Sequence, residues 1–194
     1  MDIINRVKNV LVSPKSEWPV IEAENTPHMK VCTNYVVILA LIPAIAAFIG
    51  YGLIGYRVLG VHFGSISWGI RQAIMLYVSM VGSVYLTAFV IDLLASTFNA
   101  KKDFNRAFSL VAYAFTPMFV GGVFYILHSL SWLASLCGIY SLYLLYIGLK
   151  PMMKVPDEKQ TVYFMVSLIV MLAAYFILVA VLTAILLGRG LYGF

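Results

Sequence analysis

From Ala107 to Leu149 this chain carries no lysine, arginine, aspartate or glutamate. A helix needs about 20 apolar residues to cross a bilayer core, and this stretch is about twice that long. It reads as two apolar spans joined by a tight turn at His128-Ser129 and closed by a basic clamp at Lys150 and Lys154. A chain of 194 residues is too small to bury such a length inside a soluble core. Composition agrees: charged residues make up 11%, against about 25% in soluble domains. The fold class that follows is all-α, a polytopic membrane protein.

The remaining apolar runs give five spans in all. They cover Cys32 to Leu53, Ile70 to Leu94, Ala107 to Leu127, Leu130 to Leu149 and Val162 to Leu187. Pro43 and Pro117 are expected to kink the first and third, because each removes a backbone donor. Gly121-Gly122 permits close approach by a neighbouring helix. The expected division is residues 1–31 as an N-terminal segment and 32–194 as the membrane domain. Within the first part, Ile3, Ile4, Val7, Val10 and Leu11 share one helical face, opposite Asn5, Arg6, Lys8 and Asn9. This short amphipathic helix either lies among the headgroups or packs on the protein's own end. Trp18 suits an interfacial position.

The linkers set an expected orientation. Ten lysines and arginines fall on the side of the N-terminal segment and the second and fourth linkers; three fall on the other. The positive-inside rule then puts the N-terminus inside and the C-terminus outside. Cys32 and Cys137 sit at different depths and are expected to be free thiols. The net charge of +5 is scattered over span ends with no basic-aromatic run, so a membrane surface fits better than nucleic acid.

Asp92 is the one acid well inside an apolar run, and an ionisable residue there is a functional candidate. Arg106 opens the third span from the same side and is an expected partner for it. Tyr140, Tyr143 and Tyr146 recur every third residue in the fourth span, and buried phenols need partners. Tyr113 and Thr116 of the third span are the expected ones, so these seven residues form either a polar, inward-opening cavity or a structural network between helices. Lys101, Lys102, Lys150 and Lys154 read as topology signals and as contacts to lipid headgroups. His28, His62 and His128 lack metal-ligand spacing, and no nucleophile, Walker or dinucleotide motif is present. No catalytic residue, metal or cofactor is therefore expected.

Several stretches are familiar together. Val12-Ser13-Pro14-Lys15-Ser16-Glu17-Trp18 with Ile21 and Glu24, then Tyr113-Ala114-Phe115-Thr116-Pro117 with Gly122-Val123-Phe124, make two of them. The third is Gly138-Ile139-Tyr140-Ser141-Leu142-Tyr143-Leu144-Leu145-Tyr146 with Gly148-Leu149 and Met153-Lys154-Val155-Pro156. They resemble the Yip (Ypt-interacting protein) family, in particular its bacterial members, over nearly the whole chain. Ser13 stands where the family usually has Asn, and Pro19 follows Trp18 unusually. The resemblance implies five membrane helices in a bacterial cytoplasmic membrane with a cytoplasmic N-terminus. Eukaryotic relatives are linked to Rab-type GTPases, but their acidic-aromatic motif is unmatched here and GTPase binding is not carried over. The functional expectation is a non-enzymatic membrane scaffold acting through membrane lipids and protein contacts, with a small permease or channel as the alternative.

Overall fold

The structure, a computed structural model, describes residues 2–58 and 61–186. The tail with Arg189 lies outside the described residues. Five helical spans run over His28–Ile54, Ile66–Ala95, Phe104–Ile126, His128–Met153 and Asp157–Val181, each long and apolar enough to cross a membrane. One short hairpin, β1 (Tyr56–Val58) and β2 (Val61–Phe63), links the first and second spans, with Tyr56 opposite Phe63.

The span ends follow from capping chemistry. The Asp103 side chain accepts from the backbone N–H groups of Asn105 and Arg106, which starts the third span. Ser65 does the same for the second through Trp68 N–H. Lys154 ends the fourth in a left-handed conformation. The prolines break the spans where their missing donors require. The first span is interrupted at Ala40, one turn before Pro43, and the third at Phe115, between Phe104–Ala114 and Thr116–Gly121.

The third span is the axis of the bundle. Its apolar window is 78% buried, against 12% for the fifth span, which lies at the periphery. Phe108, Leu110, Tyr113, Thr116 and Phe119 are completely enclosed. The fourth span packs along it: Gly121 lies so close to Cys137 that a Cβ there would meet the cysteine side chain at 2.5 Å. Gly122 likewise sits against Pro43 of the first span. Both cysteines are free, and Cys137 serves as a small packing residue.

The N-terminal segment is built into this bundle. Helix α1 (Ile3–Val12) is capped by Asp2, and helix α2 (Pro14–Glu24) begins with proline in its first turn. The two fold back on each other as a hairpin. The Tyr140 hydroxyl donates to the Leu11 carbonyl at 2.8 Å, satisfying one of the carbonyls left over at the end of α1. Tyr140 precedes Lys154 by fourteen residues, about 20 Å along the helix. The turn of the hairpin therefore lies about that far along the fourth span from its Lys154 end. Trp18 of α2 lies against Gly148 and Leu110 and is 2% exposed. It is a core anchor, not the interfacial residue its type suggested.

Candidate functional site

The hairpin carries charge into the bundle, so that charge must be paired there. Arg6 forks to two carboxylates of α2, Glu17 and Glu24. Asn9 donates to the second oxygen of Glu17 at 3.1 Å. Arg6 and Glu17 are each 8% exposed. Burial alone weakens the charge on Arg6; the hydrogen bond and charge of Glu24, with help from Tyr113 and Glu17, more than restore it and raise its pKa. Its guanidinium carbon also sits 5.5 Å from the centre of the Tyr113 ring.

Deeper along the third span is a second polar layer. Thr116 has one proton, and it donates it to the Tyr113 carbonyl at 2.6 Å. The Tyr35 hydroxyl, 2.7 Å from the Thr116 oxygen, is therefore the donor in that pair. The rings of Tyr35 and Tyr113 meet edge to face at 4.8 Å.

The end of the bundle is closed by a third group. Glu22 accepts from Arg106 at 2.7 Å and pairs with Lys154 at 3.1 Å, tying α2 to the third and fourth spans. Hydrogen bonds from Arg106 and Lys154 hold the Glu22 carboxyl below the usual carboxylate range. A lowered folded pKa means that the folded state binds the proton less readily than the unfolded chain. The stabilisation is complete above the unfolded value, about 4.3, and is lost as pH falls through the folded one. Glu22→Gln should therefore lower the melting temperature at pH 7 in detergent, with the gap to wild type closing on acidification. A gap that persists undiminished in acid would refute the assignment.

The residues singled out in the sequence are divided by the structure. Asp92 and Arg106 do not pair. Arg106 is taken by Glu22 and by Asp103, 3.4 Å away, while the Asp92 Oδ1 atom is buried without a hydrogen-bond partner on the side of the second span nearest Tyr163. The carboxylate that Arg106 needed came from the hairpin. The tyrosine stripe makes its contacts elsewhere. Tyr140 turns to Leu11, Tyr143 stacks on Tyr140 and is 44% exposed, and Tyr146 meets Thr161 of the fifth span at 3.2 Å. Tyr140→Phe should cost about 1 kcal/mol by stranding the Leu11 carbonyl, whereas Tyr143→Phe should leave the melting curve unchanged. Equal effects would contradict these positions.

Of the candidate headgroup lysines, Lys101, Lys150 and Lys154 are about half exposed and face Asp103, Asp157 and Glu22. Lys102 is exposed. Surface pairs of this kind are weak, so the lysines stay open to solvent. The sequence reading missed Glu17, Glu22 and Glu24 as partners. The available signal was spacing: Glu17 and Glu24 lie two turns apart on one face of α2.

The described residues line cavities in two parts of the bundle. One, of about 640 Å³, lies between the hairpin and the start of the first span, lined by Arg6, Glu17, Glu24, Lys30 and Asn34 among others. The other, of about 410 Å³, is largely apolar and lies between the second, third, fourth and fifth spans, lined by Phe115, Met118, Ile139 and Tyr175 among others. No residue lines both. Between them stands the enclosed part of the third span, with Arg6 over Tyr113 on one side and Phe115 and Met118 facing the other.

Comparison with known proteins bears on the chain as a whole. The chain is 29% identical over 193 residues to the inner membrane protein YohC of Escherichia coli strain K12, covering 96% of this chain and 98% of that one. The same protein from Escherichia coli O6:H1 strain CFT073 matches equally. No solved structure matches the chain. The Yip1 domain matches residues 8–188, a stretch that takes in most of the hairpin and all five spans, and the chain belongs to the Yip1 domain family.

Proposed function

We propose that this protein is a non-catalytic membrane organiser, a rigid five-span bundle that acts through lipid and protein contacts rather than by passing solutes. The observation that carries this reading is the closed centre. The polar cavity shares no wall with the apolar one, and Tyr35, Tyr113, Thr116 and Phe119, each at most 1% exposed, fill the space along the third span. A permease needs a hydrated passage that reaches both faces at some stage, and transporter sites are built from discontinuous helices near mid-depth. Here the discontinuities at Ala40 and Phe115 are packed shut by Pro43, Gly122 and the tyrosine layer. Polar groups buried this way serve as links between helices.

The organiser is placed in the bacterial inner membrane with the hairpin end in the cytoplasm. The ten-to-three bias of basic residues and the name of the YohC relative support that placement. Proteoliposomes test the functional reading. Purified protein should leave proton, sodium and small-metabolite leakage at the level of empty vesicles, while native mass spectrometry shows retained lipids or further protein chains. Flux that scales with protein and is abolished by Tyr35→Trp would transfer the function to the permease.

A further inference from the structure

We propose that the polar cavity between the hairpin and the first span binds a phospholipid headgroup carrying both a phosphate and a primary ammonium. The proposal rests on the organiser reading and names the lipid that it would recognise. Three features of the cavity carry it.

The first is its charge. Arg6 is shared by Glu17 and Glu24, so the three together keep one negative charge in excess. Glu24 is the exposed member, with 38% of its side chain accessible and one oxygen committed to Arg6. Lys30, also in the cavity lining, is exposed and makes no ion pair among the described residues. A negative wall and a positive wall that do not neutralise each other suit a ligand with both signs. A phosphate alone would be repelled by Glu24, and an amine alone would leave Lys30 unused.

The second is its size and hydrogen-bonding capacity. About 640 Å³ falls within the range of small-molecule sites. Asn5, Asn34 and Thr26 add donors and acceptors at the walls. A primary ammonium has three N–H donors for Glu24 and the amides. A trimethylated ammonium has none.

The third is its rim, which points to a lipid in place of a soluble compound. Lys30 and Asn34 lie in the first two turns of a membrane-spanning helix. Val20 of the cavity wall is 47% exposed, and Met29 and Ile38, flanking Lys30 and Asn34, are 58% and 44% exposed. A polar cavity bordered by exposed apolar side chains at a membrane boundary matches an amphiphile. The head enters the cavity and the chains run along Val20, Met29 and Ile38.

The test uses the full chain in nanodiscs containing equal amounts of phosphatidylethanolamine, phosphatidylcholine and phosphatidylglycerol. Lipids retained after release are counted by native mass spectrometry. The expected result is retention of phosphatidylethanolamine about tenfold over phosphatidylcholine, the worth of one charge-assisted hydrogen bond. Lys30→Gln, outside the Arg6 network, should lower the retention of phosphatidylethanolamine and phosphatidylcholine alike without changing the melting temperature, and Glu24→Gln should erase the preference between them. Equal retention of the three lipids, a preference for phosphatidylglycerol, a preference unmoved by Glu24→Gln, or total retention unmoved by Lys30→Gln would overturn the proposal. Free phosphoethanolamine, titrated calorimetrically at millimolar concentration, should not bind; tight binding would assign the cavity to a soluble ligand and overturn the lipid. Equal retention with no transport in proteoliposomes would defeat this inference alone and leave the organiser reading standing.

Discussion

Gly148→Leu is expected to unseat the N-terminal hairpin from the bundle. A Cβ at position 148 would meet ring atoms of Trp18 at 2.6 and 2.7 Å and the Leu110 side chain at 2.7 Å. Trp18 is rigid and completely enclosed, so it has no alternative position within the core. The expected cost is that of expelling a buried tryptophan, about 3–5 kcal/mol. Trp18→Ala should cost a similar amount. The double variant should be far less than additive, because both changes remove one contact. Thermal unfolding in detergent measures the loss, and limited proteolysis around Ser13 reports whether the hairpin has come free. A Gly148→Leu protein that melts with wild type would show that Trp18 lies elsewhere.

The second large effect is electrostatic. Arg6→Met leaves Glu17 enclosed without its cation, and breaking a buried pair from one side costs about 3–5 kcal/mol. Glu17→Gln strands Arg6 only in part, since Glu24 remains, and should cost less. The combination Arg6→Met, Glu17→Gln and Glu24→Gln removes every charge at once and should recover much of the stability. That recovery separates a buried network from an exposed one, where each change would be small and the three would simply add. A neutral Arg6→Met would refute the burial of this group.

These two sites show where sequence reasoning reached and where it stopped. The five spans were legible because a run of about 20 uncharged residues has few alternatives. The breaks at Pro43 and Pro117 were legible because proline lacks a donor wherever it stands. The amphipathic character of α1 was legible, with packing on the protein's own end as one of two readings, but the burial of Arg6 was not. At 100° per residue Arg6 lies about 40° from Val10, on the border of the apolar face, and reading it as a surface charge ignored that border. Its partners stand 11 and 18 residues away on a second helix, beyond any periodicity within α1. The contact of Trp18 with Gly148 spans 130 positions, and no local pattern encodes it. The expected pairing of Asp92 with Arg106 failed for a related reason. Both lie near one end of the bundle, but Glu22 enters from the hairpin and takes the guanidinium. Spacing in the fourth span predicted phenols turned toward the third span, and the structure divides them: α1 takes Tyr140, the fifth span takes Tyr146, and Tyr143 is 44% exposed.

The central structural claim is that the N-terminal segment is a wall of the bundle and not a helix resting on the membrane. Trp18 reports on this directly once Trp68 and Trp132 are changed to phenylalanine, leaving one indole in the chain. In proteoliposomes its fluorescence should be quenched neither by aqueous iodide nor by lipids brominated near the headgroup, because protein atoms surround the ring on all sides. Gly148→Leu in the same background should make it accessible to both. Quenching of the wild-type Trp18 by headgroup-depth bromolipids would place the segment at the membrane surface and contradict the account.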